Sequence, residues 1–191
     1  LRRKLGIKKI GHSGTLDPFA TGVLAIGINE ATRLFEYIPS DKMYLAEIVF
    51  GIENETDNIT GKDIKKEDVS ISIEQIKKQI KKFTGKIKQK PPIYSAINID
   101  GRRAYDLARE NKITLDDMKE RESEIHTLDI LGFNDKLTVK IHCSSGTYIR
   151  SIARDLGKEL GTCATLKTLK RIQIGTSFKI ENSLDLESVD K

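Results

Sequence analysis

Segments in which apolar residues cluster or recur at regular intervals predict a series of strands. Residues 43–51 are rich in β-branched and aromatic side chains and end at a glycine, which is typical of a strand. Residues 93–100 have a similar character and lead into a turn at Asp100–Gly101. The remaining predicted strands are residues 124–133, residues 137–143, joined to the former by a hairpin-like turn at Asn134–Asp135, and residues 172–180.

Helical spacing is clearest after residue 72 and after residue 148. Ser72 is suited to be an N-cap and Gly85 to stop a helix, and the apolar positions between them share one face: Ile73, Ile76, Ile80 and Phe83. The second helix starts near Tyr148, ends before Gly161 and buries Ile149, Ile152, Ala153, Leu156 and Leu160. Shorter helices are predicted over residues 104–111 and 164–170.

The order of these elements favours a mixed β-sheet. Strands and helices interleave, and hairpins join some of the strands, so an α+β (mixed α/β) domain is favoured over a purely parallel sheet. Residues 54–63 are polar and are predicted to form a loop, and residues 112–123 an exposed connection. We expect one domain over residues 1–181, followed by a polar tail over residues 182–191.

Composition is that of a globular protein with a basic surface. Hydrophobic residues make up 38% and charged residues 32% of the 191 positions, the formal net charge is +5 and the pI is about 9.1. No apolar run approaches the roughly 20 residues that cross a bilayer, and the basic N-terminus lacks the apolar core of a secretory signal. A positive balance favours a polyanionic partner. A cytoplasmic location is expected, or an organellar one if the source is eukaryotic.

The cysteines and histidines suggest neither a disulfide framework nor a zinc site. Cys143 and Cys163 are far apart in sequence, form no CxxC pair, and are accompanied by three histidines elsewhere. We therefore expect free thiols and no resident metal.

The most informative segment is GHSGTLDPFATGVL, residues 11–24. Its glycines permit tight backbone paths, and Asp17–Pro18 favours entry into a turn. It has neither the Walker spacing nor GxGxxG after a strand, so nucleotide binding of that kind is not supported. Taken alone, an aspartate before proline is ordinarily a turn residue.

Four segments together resemble one family. Residues 11–24 resemble the motif that presents the catalytic aspartate in the TruB family of tRNA pseudouridine synthases. Three further segments agree in order and type, and the resemblance covers nearly the whole chain: residues 31–51 (tyrosine-bearing strand), 88–110 (RNA-gripping insertion) and 143–161 (CSSGTYIRSIARDLGKELG).

The resemblance implies a pseudouridine synthase fold, with a mixed, largely antiparallel sheet flanked by helices, and isomerisation of the T-arm uridine at tRNA position 55. It implies that Asp17 is the catalytic carboxylate, which either attacks the nucleotide or removes a ribose proton. The reaction involves no redox change or external group, so no cofactor is expected. Arg150 is the matching cation, able to hold the carboxylate charged in a fixed geometry.

The same resemblance implies that the target nucleotide is flipped out of the RNA stack and is contacted by aromatic and imidazole side chains. Tyr44 would stack on the target base and assist proton removal from C5, and Tyr148 would hydrogen-bond or pack beside the site. His12 would fill the space left by the extruded base. One aromatic stack returns about 1–3 kcal/mol, against a flipping cost of a few kcal/mol.

Basic residues near these motifs are suited to phosphate contacts that position RNA without reading its sequence. They flank an RNA-gripping insertion expected near residues 86–122 or match a basic site near the last motif: Lys86, Lys88, Lys90, Arg102, Arg103, Lys170 and Arg171.

The chain also departs from the family pattern. Relatives carry a strand with a Lys-Pro-x-Gly motif ahead of the glycine segment, and many carry a C-terminal PUA-type domain. We expect both to be missing here, since the sequence begins at Leu1 and ends after a polar tail. Two alternatives follow: an RNA-binding or tRNA-folding module with weak or lost catalysis, and an H/ACA-type rRNA pseudouridine synthase. The expected partner is the T-arm stem-loop of tRNA, bound by a monomer with no obligatory protein partner.

Overall fold

The computed structural model describes residues 1–189, so the end of the predicted polar tail, residues 190–191, lies outside the described residues. The helices are α1 (Arg2–Leu5), α2 (Ile73–Ile80), α3 (Ala104–Arg109) and α4 (Ile149–Glu159). The strands are β1 (Ile10–His12), β2 (Thr21–Gly22), β3 (Ile26–Ile28), β4 (Lys42–Phe50), β5 (Ile52–Asn54), β6 (Asp63–Lys66), β7 (Gly85–Gln89), β8 (Asn98–Ile99), β9 (Arg102–Arg103), β10 (Arg121–Phe133), β11 (Leu137–Cys143), β12 (Ala164–Ile174) and β13 (Phe178–Lys179).

The largest sheet within residues 1–189 has seven strands and is centred on β4. Six of them follow the order β13–β12–β4–β11–β10–β7 with antiparallel neighbours, and β2 adds a parallel pairing to β12. Ala46 in β4 is opposite Val139 on one side and Leu169 on the other. The predicted mixed, largely antiparallel sheet is confirmed.

One face of this sheet carries the main core. Tyr44, Ala46, Ile48 and Phe50 alternate along β4 as buried positions, and β11 alternates in the same way. Helix α4 packs its apolar stripe against this face, as its spacing predicts. The approach is close at Gly157, where a Cβ atom would be 2.6 Å from the backbone nitrogen of Ala164.

Helix α2 forms as predicted and closes one end of the core. Ser72 accepts a hydrogen bond from the Gln75 N–H at 3.2 Å, and Gln75 Oε1 accepts one from the Ser72 N–H at 2.7 Å, which completes a capping box. Ile76, Ile80 and Phe83 are buried.

The helix predicted over residues 164–170 is wrong, because these residues belong to β12. A bulge between Leu166 and Thr168 inserts one residue into the strand. Leu166 and Leu169 are therefore both buried although they are three positions apart, a spacing that imitates a helix. Hydrogen bonds to β4 along the length of the strand outweigh local helical preference.

Two other expectations, for residues 93–100 and for residues 112–123, need correction. The strand predicted over 93–100 is reduced to β8, which pairs with β9 around the predicted turn at Asp100 and Gly101, both with positive φ. The predicted exposed connection over 112–123 buries Met118 and already contains the start of β10, which pairs with β7. Strand β7 was not predicted from the sequence. Its exposed lysines, Lys86 and Lys88, alternate with the more buried Ile87 and Gln89, and only one of the alternating inner residues is apolar.

The N-terminal segment forms a small two-stranded sheet ahead of the main one. Strand β1 pairs with β3, with Ile10 opposite Ile28, and residues 13–25 form a loop between them that includes β2. A 3-10 helix over Asn29–Tyr37 then leads into β4. Both cysteines are free thiols, and Cys143 is buried whereas Cys163 is partly exposed. Among the helices of residues 1–189, none has the length and apolar character needed to cross a membrane.

Candidate active site

The loop over residues 13–25 presents Asp17 toward the main sheet. Asp17 occupies a turn in which its carbonyl accepts a hydrogen bond from the Ala20 N–H at 2.9 Å. Pairing of β2 with β12 attaches the loop to the sheet, and the Val23 N–H donates to the Arg171 carbonyl at 2.8 Å. The approach requires a glycine, because Gly22 has φ 104° and a Cβ atom there would lie 2.1 Å from the Arg171 carbonyl oxygen.

Arg150, in the first turn of α4, holds the Asp17 carboxylate in a two-pronged ion pair. Its Nε lies 2.8 Å from Oδ2 and its Nη2 lies 3.0 Å from Oδ1. The guanidinium is 5% exposed and also donates to the carbonyls of Thr56 and Tyr94, at 3.0 and 3.2 Å. These contacts fix the orientation of the guanidinium and keep a permanent positive charge beside the carboxylate.

The ion pair lines a cavity of about 950 Å³. The Asp17 side chain is 29% exposed, so the carboxylate is open to the cavity although its partner is buried. Tyr44, Tyr148 and Tyr94 contribute to the same walls. The cavity therefore combines one charged carboxylate with several aromatic side chains, at a size suited to a small planar group and its sugar.

Tyr44 points from the middle of the sheet into this cavity. Burial raises the pKa of its phenol to about 12, although the neighbouring Arg171 guanidinium opposes the rise. Tyr44 is therefore a neutral phenol at physiological pH, able to stack and to donate a hydrogen bond.

The backbone of Tyr148 is held by a buried amide. Gln89 Nε2 donates to the Tyr148 carbonyl at 3.2 Å, and the Tyr148 N–H donates to Gln89 Oε1 at 3.1 Å. Ser123 Oγ donates to the same Oε1 at 3.2 Å. Burial raises the pKa of Tyr148 as well. This arrangement fixes the start of α4 just ahead of Arg150.

Arg171 was expected to contact phosphate at the surface, but the structure buries it. The side chain is 0% exposed, and its guanidinium donates to the carbonyls of Val23, Thr15 and Gly14 at 2.7, 3.2 and 3.3 Å. Arg171 therefore holds the Asp17 loop from inside. Lys170, its neighbour, is exposed.

The other basic residues predicted to contact phosphate either bind groups of the protein itself or lie on a face directed away from the cavity. Lys90 pairs with Asp116 at 3.0 Å, Arg102 pairs with Glu110, and Arg103 donates to the Ala96 carbonyl at 2.6 Å. Lys86 and Lys88 alternate with the partly buried Ile87 and buried Gln89 of β7, and so lie on the face of the strand directed away from the cavity.

His12 lies at the end of β1, beside the cavity loop in sequence. It is exposed, and it is not among the residues that line the cavity. The structure therefore brings Asp17, Tyr44, Tyr148 and Arg150 together, and leaves His12 free at the surface.

Several cavity residues were missed from sequence. Lys42 lies on the same face of β4 as Tyr44, two positions away. The strand predicted over 43–51 starts one residue too late to include it, so its alternation would have identified Lys42 only if extended by one residue. Its ammonium donates to the Ser40 carbonyl at 2.8 Å and to Ser145 Oγ at 3.2 Å, and burial, reinforced by Arg171, lowers its pKa. Two exposed cations, Arg109 and Arg121, also line the cavity.

Helix α4 also holds a second loop through Arg154, one turn after Arg150. Arg154 pairs with Asp57 at 2.9 Å and donates to the Lys90 carbonyl at 2.8 Å. The i, i+4 spacing of the two arginines is visible in the sequence, but their shared target depends on the path of residues 54–61.

Comparison with known proteins agrees with this geometry. Residues 2–149 match the family model described as TruB family pseudouridylate synthase (N terminal domain). The chain is 44% identical over 195 residues to tRNA pseudouridine synthase B of Nostoc sp., covering 100% of this chain and 66% of that protein. It is 46% identical over 191 residues to tRNA pseudouridine synthase B of Synechococcus elongatus, covering 97% of this chain and 64% of that protein. The chain thus spans slightly under two-thirds of the length of these relatives.

Solved structures share the fold. A chain of a Cbf5–Nop10–Gar1 complex superposes with a TM-score of 0.72 at 24% identity, over 97% of this chain and 46% of that chain. A chain of the archaeal box H/ACA sRNP Nop10–Cbf5 complex superposes with a TM-score of 0.62 at 24% identity, over 91% of this chain and 41% of that chain. The expected pseudouridine synthase fold is confirmed.

Proposed function

The chain belongs to the TruB family of pseudouridylate synthases, and we propose that it converts the T-arm uridine at tRNA position 55 into pseudouridine. The observation that carries this proposal is the ion pair of Asp17 with Arg150, which presents a charged carboxylate to a cavity lined by Tyr44. We assign this activity to residues 1–181, acting as a cytoplasmic monomer.

The chemistry requires one carboxylate at the anomeric carbon of the nucleotide. The N1–C1′ bond breaks, the uracil turns, a C5–C1′ bond forms, and the proton displaced from C5 is lost as N1 gains one. Asp17 acts either as a nucleophile at the sugar or as a base toward a ribose proton, and Arg150 holds its carboxylate in a fixed position for both routes. Because reactant and product are isomers, the residues need no redox partner.

The nucleotide reaches the carboxylate by leaving the RNA stack. Extrusion costs a few kcal/mol. Stacking of the base on Tyr44, worth about 1–3 kcal/mol, offsets part of this cost. We assign His12, exposed beside the loop, to the gap left in the RNA, where a second stack returns a similar amount. Tyr148 completes the wall of the base pocket.

Phosphate contacts come from cations around the cavity. Arg109 and Arg121 line it directly, and Lys170 is exposed. Lys90, Arg102 and Arg103 are further candidates, which would exchange their partners in the protein for phosphate. Such contacts fix the register of the RNA without reading its sequence. Arg171 acts from inside, by positioning the loop that carries Asp17.

Replacement of Asp17 by asparagine is the direct test. Asp17→Asn keeps the shape of the side chain but removes its charge, so T-arm RNA should bind while pseudouridine formation falls by about 10²–10⁴-fold or more. Product is measured by mapping pseudouridine in a T-arm stem-loop after incubation with each variant.

Asp129→Asn is the matched control, since Asp129 is an exposed carboxylate on β10 outside the cavity lining. Its rate should equal that of the unmodified chain. Near-normal turnover by Asp17→Asn would overturn the assignment. If the unmodified chain forms no product, yet it and Asp17→Asn rescue tRNA folding equally, the chain is a tRNA-folding module instead.

A further inference from the structure

Two of the three histidines lie together on the face of the main sheet opposite the cavity. His142 in β11 alternates with the buried Ile141 and Cys143, so its side chain lies on the other face. His126 lies at a bulge in β10, and Asp41 directly precedes β4. One donor atom from each of these three side chains lies within 4.8 Å of the other two.

The geometry within this cluster is not that of a simple hydrogen-bonded pair. His126 Nε2 is 3.1 Å from Asp41 Oδ2, yet it is buried and has no aligned hydrogen-bond partner among the described residues. The nitrogen is therefore directed past the carboxylate oxygen. The rings of His126 and His142 are 4.7 Å apart between centroids and inclined at 58°, so the two imidazoles are direct neighbours.

We propose that Asp41, His126 and His142 form a zinc(II) site. Imidazole nitrogen and carboxylate oxygen are ligands that Zn²⁺ prefers, at about 2.0–2.2 Å, so ligand atoms around a tetrahedral ion are roughly 3.4 Å apart. The Asp41–His126 distance already matches this separation. Small side-chain rotations bring His142 to the same distance, and water takes the fourth position.

The ion would tie three segments of the sheet together. Asp41 is anchored through its carbonyl, which accepts a hydrogen bond from the Gly175 N–H at 2.7 Å, and His126 and His142 belong to neighbouring strands. None of the three residues lines the cavity, so the ion would lie apart from the Asp17 site. The effect of the ion is on stability rather than on the conversion of uridine.

Zinc titration of the chelator-stripped chain by calorimetry is the test. We expect one ion per chain, and an unfolding midpoint raised by about 5–10 °C when free zinc is roughly 100 times its Kd. His126→Asn and His142→Asn should each weaken binding by roughly tenfold or more, because each removes one of three protein ligands. His12→Asn, which alters the remaining histidine, should bind zinc normally.

Cobalt(II) gives a second readout. Bound at this site, it should show the visible absorption bands of a tetrahedral ion, and these should disappear in His142→Asn. If that variant fails to fold, Asp41→Asn supplies the same comparison, because the Asp41 side chain is 44% exposed. Absence of zinc binding, unchanged affinity in the ligand variants, or loss of binding in Cys163→Ser instead would overturn the proposal.

Discussion

Two buried arginines act on the same carboxylate loop in different ways. Arg150 contacts the carboxylate of Asp17 itself, whereas Arg171 contacts only backbone carbonyls of the loop. Each buried guanidinium has several acceptors, which offsets the cost of removing its charge from water. The carboxylate of Asp17 and the backbone of its loop are thus held by separate residues.

The raised pKa of Tyr44 leads to a prediction about alkaline stability. Its folded-state pKa of about 12 exceeds the unfolded value of about 10, so the unfolded chain loses the proton first as pH rises. The stabilisation is complete below pH 10 and is lost between about pH 10 and 12, by about 2–3 kcal/mol. Tyr44→Phe has no phenol to ionise and so lacks this pH-dependent contribution. Its free energy of unfolding should therefore fall less steeply over that range in denaturant titrations.

Tyr37→Phe is the matched control, because Tyr37 is 77% exposed. It should follow the unmodified chain at every pH. Identical slopes for Tyr44→Phe and the unmodified chain would show that the Tyr44 phenol ionises as freely when folded as when unfolded.

At the residue scale, the sequence was sufficient to predict Asp17 and Arg150 but not the residues that hold them in place. The motif resemblance pointed to Asp17 and Arg150, and the structure joins them at 2.8 Å. Arg171 was expected to contact phosphate because the resemblance matches it to a basic site near the last motif, whereas its position in β12 buries it. Gln89 was hidden among lysines, and nothing local in the sequence marks it as the partner of the Tyr148 backbone.

At the element scale, helices that bury one face were easier to predict than a strand that is paired along both edges. Helices α2 and α4 bury a single stripe each, so their spacing reports their structure directly. Strand β12 lies between β4 on one side and β13 and β2 on the other, and its bulge shifts the alternation partway along. Edge strand β7 exposes alternate lysines, which resemble a solvated charge run.

The short pairing of β2 with β12 leads to a prediction about the Asp17 loop. Gly22→Ala introduces a methyl group 2.1 Å from the backbone oxygen of Arg171 at a positive φ, so the strand must separate from β12. We expect a loss of about 2–4 kcal/mol in the free energy of unfolding. Pseudouridine formation should fall as well, since Asp17 moves with the loop.

Gly132→Ala is the control for this change. Gly132 lies in β10, has no positive φ, and a Cβ atom there would have no heavy atom within 4 Å. Stability and activity should stay close to those of the unmodified chain. Equal behaviour of the two alanine variants would mean that β2 does not hold the loop.

At the scale of the whole molecule, the positive balance should appear as salt-dependent RNA binding. The formal net charge is +5, and two of the cations, Arg109 and Arg121, line the cavity. Replacing both by glutamine should weaken T-arm binding and reduce the slope of log K against log salt by about 1–2, because released counterions are proportional to phosphate contacts. Binding is measured by titration at several salt concentrations.

The double variant Lys86→Gln, Lys88→Gln separates local contacts from overall charge. It removes the same net charge from the face of β7 directed away from the cavity. Its slope should change less than that of the arginine pair. An equal change in both variants would indicate that net charge alone governs binding.

The contacts that hold Asp17 span most of the chain, 133 residues to Arg150 and 156 between Thr15 and Arg171. During translation at about 5–20 residues per second, Asp17 emerges roughly 8–30 s before Arg171. Asp17 is therefore synthesised well before either arginine. A nascent chain that stops within the final long strand, ahead of Arg171, already contains Arg150 as a partner for the carboxylate but lacks the guanidinium that supports the Asp17 loop from inside.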